Sequence, residues 1–243
     1  MRRAGDHALD LPPPFRPLAL REAGDAFLYA CAHAAELGAG TLVHVGRFDL
    51  AEFAVVLEPD EPLARARRTL YAGLTALGDT LAALAPPEKP IAFDWPDAVS
   101  VDGGLIGGGR LGWPEGTSAW AVPDWLVFAG MIRARMADGT EPGRHPAATA
   151  LDEEGFGDVS PEQVVEGFAR HFLAATEQWR EAGFDGIARA YLAKLHEASG
   201  AIAAIAENGD LALRRGAAVR ELRLEPALAA PSWLDPGSGE PRR

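Results

Sequence analysis

The sequence predicts an α+β fold, a mixed β-sheet flanked by helices with a small β module on its C-terminal side. Three observations carry this. The runs Thr41–Val45, Phe53–Leu57 and Trp125–Ile132 are apolar at nearly every position, the composition of strands covered on both faces. Two long stretches, Pro62–Ala85 and Ser160–Trp179, repeat apolar residues at steps of three and four, as helices packed on a sheet do. Beyond them, Asn208-Gly209 between two short apolar segments is a strong hairpin signal.

In order, residues 1–19 are rich in Pro and Arg and read as an extended arm. Arg21–Leu37 has helical spacing through Phe27, Cys31 and Ala34, with Asp25 in its first turn and Gly38-Ala39-Gly40 after it. Cys31 on that stripe reads as a buried thiol rather than a nucleophile. His33 and Glu36, three apart, read as a solvated pair. Gly46-Arg47-Phe48-Asp49 is a connection of hairpin length. From Pro62, Leu63, Ala66, Leu70, Leu74, Leu77, Leu81 and Leu84 form one stripe, with Arg65, Arg67 and Arg68 expected in solvent. Gly139–Gly157 is a long polar loop. Ser160-Pro161-Glu162-Gln163 is a capping box with proline at the first helical position. His171, beside that helix's stripe, reads as structural. A shorter helix covers Asp185–His196. Ala201–Ala206 and Leu211–Leu213 flank the Asn-Gly turn, Glu221–Glu225 reads as a half-exposed strand, and a Pro/Gly/Ser tail follows.

Composition narrows the function. A chain of 243 residues holds one medium domain and a small one. A net charge of −12 argues against a nucleic-acid partner, which needs a concentrated basic face. One cysteine excludes an internal disulfide and fits the reducing cytoplasm. No apolar run approaches membrane-spanning length, and no apolar segment follows Arg2-Arg3 as in a signal peptide. The expected location is cytoplasmic, with neither membrane nor nucleic acid as partner.

The stretch with the most chemistry is Phe93–Trp113. A strand ends at Trp95-Pro96, Val99–Val101 follows, and Asp102-Gly103-Gly104 makes a tight turn. Leu105-Ile106 then lead into Gly107, Gly108, Gly109 and Arg110. Glycines within a strand mark a close approach to the backbone, and a cation directly after them suits an anionic ligand. The competing reading is a glycine-rich hairpin with a surface arginine.

This stretch resembles the signature of the biotin protein ligase, lipoate-protein ligase and lipoyl (octanoyl) transferase superfamily. Biotin ligases carry Lys-Trp-Pro-Asn-Asp, a strand, a turn, and then Lys, an aliphatic residue, a small residue and Gly. Here Asp94-Trp95-Pro96-Asp97-Ala98 is followed without a gap in length by Val99–Gly104 and Leu105-Ile106-Gly107-Gly108. The flanking elements agree in order over roughly residues 20–196, and residues 197–235 resemble a small domain found on one bacterial branch. The resemblance implies a biotin/lipoate ligase-like fold. It divides the chain into the arm (1–19), a ligase-like domain (20–183), a small C-terminal α/β module (184–226) and a flexible tail (227–243).

It also implies a function. Family enzymes join a carboxylic acid to ATP, with Mg, as an acyl-adenylate, and pass the acyl group to a lysine of a biotinyl or lipoyl carrier domain. The expected ligands are ATP and biotin, lipoate or octanoate. The expected catalytic residues are Arg110 and Asp97, the latter orienting ligand or Mg. Arg47, Asp94, Trp95, Gly107, Gly108 and Gly109 are the expected ligand-binding residues, and no protein metal site is expected. Leu105 and Asp94 stand where the family has lysines, and the family's Gly-Arg-rich loop is reduced to Gly46-Arg47. Because adenylation builds up negative charge, this loss of cations leaves three alternatives. One is an enzyme with a remodelled site, the second a non-catalytic descendant that binds the acid or an acylated carrier, and the third a structural or interaction protein whose glycines are only packing features. An odd offset also sets Leu105 and Arg110 on opposite faces of a regular strand, unless the glycines form a bulge.

Overall fold

A computed structural model describes residues 9–21, 24–136 and 147–242. Part of the N-terminal arm and part of the loop expected at Gly139–Gly157 lie outside the described residues. The elements are β1 (Arg16–Leu20), α1 (Ala26–Leu37), β2 (Thr41–Val45), β3 (Leu50–Leu57), α2 (Leu63–Ala66), α3 (Thr69–Leu84), β4 (Ile91–Asp94), β5 (Ala98–Val101), β6 (Gly104–Gly112) and β7 (Leu126–Arg133). After these come α4 (Pro161–Ala182), α5 (Asp185–Lys194), β8 (Ile202–Ile205), β9 (Leu211–Arg215), β10 (Ala218–Leu222) and α6 (Leu224–Ala227).

Seven strands form one sheet in the order β1-β2-β3-β7-β6-β5-β4. The β1–β2 pair is parallel and the others are antiparallel, so the sheet is mixed as expected. Part of the arm is therefore an edge strand. The central strands β3 and β7 are buried along almost their whole length, which is why their sequences do not alternate.

Helices α3, α4 and α5 cover one face. Phe53 and Phe128 of the sheet meet Phe168 and Phe172 of α4, with ring centroids 4.4–5.4 Å apart along the stack Phe53–Phe168–Phe128. The other face carries α1 at one end, whose Ala26, Ala30 and Ala34 rest on Val43, Ala54, Val56, Val127 and Ala129, and Trp233 of the C-terminal segment at the other, over Leu50, Ala98 and Met131. Small residues on both sides bring α1 close to the sheet. α1 starts where the Asp25 carboxylate accepts the Leu28 N–H at 2.9 Å. α4 starts in the expected capping box: Ser160 Oγ accepts the Gln163 N–H at 3.3 Å, and Gln163 Oε1 accepts the Ser160 N–H at 2.9 Å.

β8, β9 and β10 form the small second sheet in the order β10-β9-β8. Its Leu211 and Leu213 join the main core, and the Tyr71 hydroxyl donates to the Gly209 carbonyl at 2.6 Å, tying the Asn-Gly turn to α3.

Four expectations need correction. The helix expected over Pro62–Ala85 breaks at Arg67-Arg68 into α2 and α3. Its arginines are not all solvated: Arg67 and Arg68 are buried, because the chain beyond α4 packs over this break. Arg67 pairs with Glu225 of α6 at 2.9 Å, while the Arg68 guanidinium lies 4.6 Å from the Phe184 ring centroid. The segment Glu221–Glu225 is strand only to Leu222, since the Leu224 N–H turns to Asp210 Oδ1 at 2.9 Å and opens α6. The tail expected to be flexible is packed: Trp233 is 1% exposed and Pro241 is buried. A single apolar anchor in a polar segment gives no periodic signal in sequence.

Cys31 lies between α1 and the sheet, and burial pushes its thiol up to about 11. His33 sits 3.8 Å from Glu36 on the flank of α1, and His171 Nδ1 lies 3.1 Å from Thr80 Oγ1. Cys31 Sγ lies against Gly112 at the end of β6, where a Cβ would fall 2.5 Å from it, whereas neither histidine is among the nearest neighbours of the run Gly107–Gly109.

Candidate functional site

The glycine strand contains a bulge. β5 and β6 pair Ala98 with Gly108 and Val99 with Gly107, then shift so that Ser100 pairs with Leu105 and Val101 with Gly104. Ile106 is the extra residue, and its side chain enters the main core. The shift restores parity, so Leu105, Gly108 and Arg110 share the face that carries α1. The objection from strand alternation is thereby removed.

The three glycines do different work. Gly107 has φ +153°, and a Cβ there would run into the Met131 carbonyl of β7. Gly109 points to the opposite face, where a Cβ would lie 3.0 Å from the Phe128 ring and 3.3 Å from Leu74. Both are packing positions. Only Gly108 faces the side of α1, and a Cβ there would overlap the Asp97 carbonyl and the indole of Trp233.

Arg110, on the same face, is mostly buried. Its guanidinium donates to Asp25 Oδ1 at 2.8 Å and lies 4.1 Å from the Phe27 ring centroid. Next to it, Glu52 is buried and accepts the Ala26 N–H at 2.8 Å, at the first turn of α1; burial raises its carboxyl above the usual range. Arg47, in the β2–β3 connection, is held by Asp49 at 2.7 Å and by Glu240 at 2.7 Å. The hydrogen bond from Arg47 holds the Asp49 carboxyl below the usual range.

Asp97 lies in the β4–β5 turn, 1% exposed. Its carboxylate accepts from both the N–H and the hydroxyl of Ser232. Burial outweighs these bonds and pushes its pKa up to about 6. Trp233 follows directly. Its indole packs on Leu50, Ala98 and Met131, and its Nε1 donates to the Gly109 carbonyl at 3.0 Å. Leu105, at the family's lysine position, packs against this same cluster.

The expected site residues thus fall into two groups. Arg110, Gly108, Asp97 and Arg47 lie along one face of the sheet. Asp94 and Trp95 are directed elsewhere. Asp94 Oδ1 meets His196 Nδ1 at 2.8 Å at the outer edge of the sheet, and the Trp95 indole donates to the Tyr71 hydroxyl at 3.2 Å on the side of α3. The strand end turns them away because Phe93 and Tyr191 stack there, with centroids 5.2 Å apart. Glu52, Asp25, Arg133, Ser232 and Trp233 were not expected. Glu52 and Arg133 lie one residue outside the apolar runs Phe53–Leu57 and Trp125–Ile132 and enter the strands only because β3 starts earlier and β7 ends later than those runs; nothing in the sequence placed Ser232 and Trp233 here. Among the described residues, no group of three or more His, Cys, Asp or Glu could hold a metal ion. No described helix is long and apolar enough to cross a membrane.

Along this face Trp233 lies over the Gly108 backbone with its Nε1 on the Gly109 carbonyl, and the cations Arg110, Arg47 and Arg133 are each held by partners.

Comparison with known proteins shows the family and the fold. A biotin protein ligase-like protein of unknown function from Silicibacter sp. superposes with a TM-score of 0.78 at 29% identity, covering 91% of this chain and 99% of that one. The Aquifex aeolicus biotin protein ligase in complex with biotin and ATP superposes with a TM-score of 0.62 at 14% identity, over 85% and 94% of the two chains, a likeness of fold. A biotin–[acetyl-CoA-carboxylase] ligase of Paracoccus denitrificans is 31% identical over 143 residues, so this chain spans 58% of that relative's length. Residues 11–193 match the biotin/lipoate A/B protein ligase family, and by that match over most of its length the chain belongs to this family.

Proposed function

We propose that this protein binds a biotin- or lipoate-type carboxylic acid on the sheet face carrying Gly108 and Arg110, and ligates it to a carrier-protein lysine through an acyl-adenylate. The observation that supports this is the bulge in β6, which brings Leu105, Gly108 and Arg110 onto the face reached by Asp97 and Arg47. In the reaction the acid's carboxylate oxygen attacks the α-phosphorus of ATP and pyrophosphate leaves. The lysine amine then attacks the acyl carbon, AMP leaves, and the amine loses a proton. Arg110 and Arg47 would bind the carboxylate and phosphates. Asp97 would orient the ligand, and a Mg would arrive with the nucleotide, held chiefly by its phosphates.

A second reading, a binder without turnover, is favoured by two specific observations. Leu105 packs as an apolar residue at the lysine position, and both arginines are already paired with carboxylates.

Incubating the full chain with ATP, radiolabelled biotin or lipoate and a carrier domain separates these. Label on the carrier is expected, and Arg110→Ala should abolish it. A ligand-induced rise in Tm without transfer would favour the binder. No shift with any such acid would overturn both readings.

A further inference from the structure

Four groups on the candidate face, from separate parts of the chain, are held by one short segment. Asp97 of the β4–β5 turn is bound by Ser232, and the Gly109 carbonyl of β6 by the indole of Trp233. Arg47 of the β2–β3 connection is bound by Glu240, and Arg133 of β7 donates to the carbonyls of Pro241 and Arg242. Trp233 covers Gly108, the one glycine of the run that faces this side. A flat fused ring with a ring N–H lies on the backbone here, a chemistry that a cyclic-ureide ligand also offers.

The segment is built as a unit that can leave. Asp235 N–H donates to the Glu240 carbonyl, Gly239 N–H to Asp235 and Arg242 N–H to Trp233, so residues 233–242 close on themselves. Residues 235–239 are exposed, and Ala229-Ala230, which connect the segment to α6, are exposed as well. Trp233 packs in a small cluster with Leu50, Ala98 and Met131, apart from the main core. Lifting it off uncovers Gly108 and the Asp97 carboxylate and removes one of the two carboxylates on Arg47.

We infer that residues 229–242 are a displaceable intramolecular plug that occupies the acid-binding face of the resting protein and competes with the ligand for it. The inference rests on the acid-binding part of the proposed function. A closed resting state lowers apparent affinity by the fraction of molecules that are open, so weakening the plug strengthens binding.

The test uses full-length chains: wild type, Trp233→Ala, and the double variant Ser232→Ala/Glu240→Ala, which keeps the indole anchor in case Trp233→Ala misfolds. Biotin and lipoate are titrated by calorimetry, and backbone hydrogen exchange is followed over 229–242. Affinity is expected to rise at least about tenfold in the variants. In the wild type, biotin or lipoate is expected to speed exchange at the Ser232 amide, whose bond to Asp97 breaks when the segment lifts. Binding to the wild type with no change in exchange, or variants that bind no tighter, would make the segment a permanent wall and overturn the plug while leaving acid binding intact. If neither acid binds any of the chains, the acid-binding reading fails and the plug falls with it.

Discussion

The two faces of the sheet are built on different principles. The face under α3, α4 and α5 is almost wholly apolar, with His44 of β2 a polar exception opposite Phe53, and α3 is buried on every side from Thr69 to Gly78. The face under α1 is small-residue and apolar at one end. At the other it is charged, with Glu52, Arg110, Arg47 and Asp97 beneath or beside a polar tail. Burial without partners suits a core; each charge on the second face needs a partner, and each has one. A ligand that offers better partners can therefore exchange with the protein's own groups on that face, but has nothing to exchange with on the other.

Mutations should expose this asymmetry. Phe168→Ala, at the centre of the first face, is expected to cost about 3–5 kcal/mol in a urea unfolding titration. A loss under about 1 kcal/mol would mean that the aromatic stack does not hold the core.

The next effect is electrostatic. Asp97 has a folded pKa of about 6, above its ordinary 3.8, so the unfolded chain gives up this proton first. Between those values the folded state binds more protons, and stability falls as pH rises from about 4 to about 6, then levels off. The total at this group is on the order of 3 kcal/mol. Asp97→Asn keeps an acceptor for Ser232 and should flatten that slope; an unchanged pH profile would place the titration elsewhere.

Trp233→Ala sharpens the comparison most directly. Trp233 is as buried as Phe168, yet a segment that opens before the body unfolds should cost only a fraction of the Phe168→Ala value when removed. Equal costs by urea titration would break the distinction between the two faces. The smallest effect belongs to Glu240→Ala. The Arg47–Glu240 pair is partly exposed, so its loss should change Tm little, by less than about 1 kcal/mol in stability.

The residues show what could be read in advance. The sheet and α4 were legible because their signals are local: continuous apolar strands, an apolar stripe, a serine cap and an Asn-Gly turn. The glycine run correctly marked a close approach. It did not say that Gly107 and Gly109 serve packing and that only Gly108 faces the candidate site, because that depends on neighbours far along the chain. Arg67 and Arg68 were misread for the same reason: the chain that buries them lies beyond α4.

By itself the sequence determined the family, the mixed sheet and the strand that carries the candidate site, since these follow from periodicity, turn chemistry and the order of motifs. Only the tertiary structure decided which side of that strand matters and what lies there. A one-residue bulge at Ile106 sets the facing of Leu105, Gly108 and Arg110, and the contact between Ser232-Trp233 and Asp97 spans more than a hundred residues. Strand parity and long-range contact are properties of the folded chain, and a local pattern does not encode them.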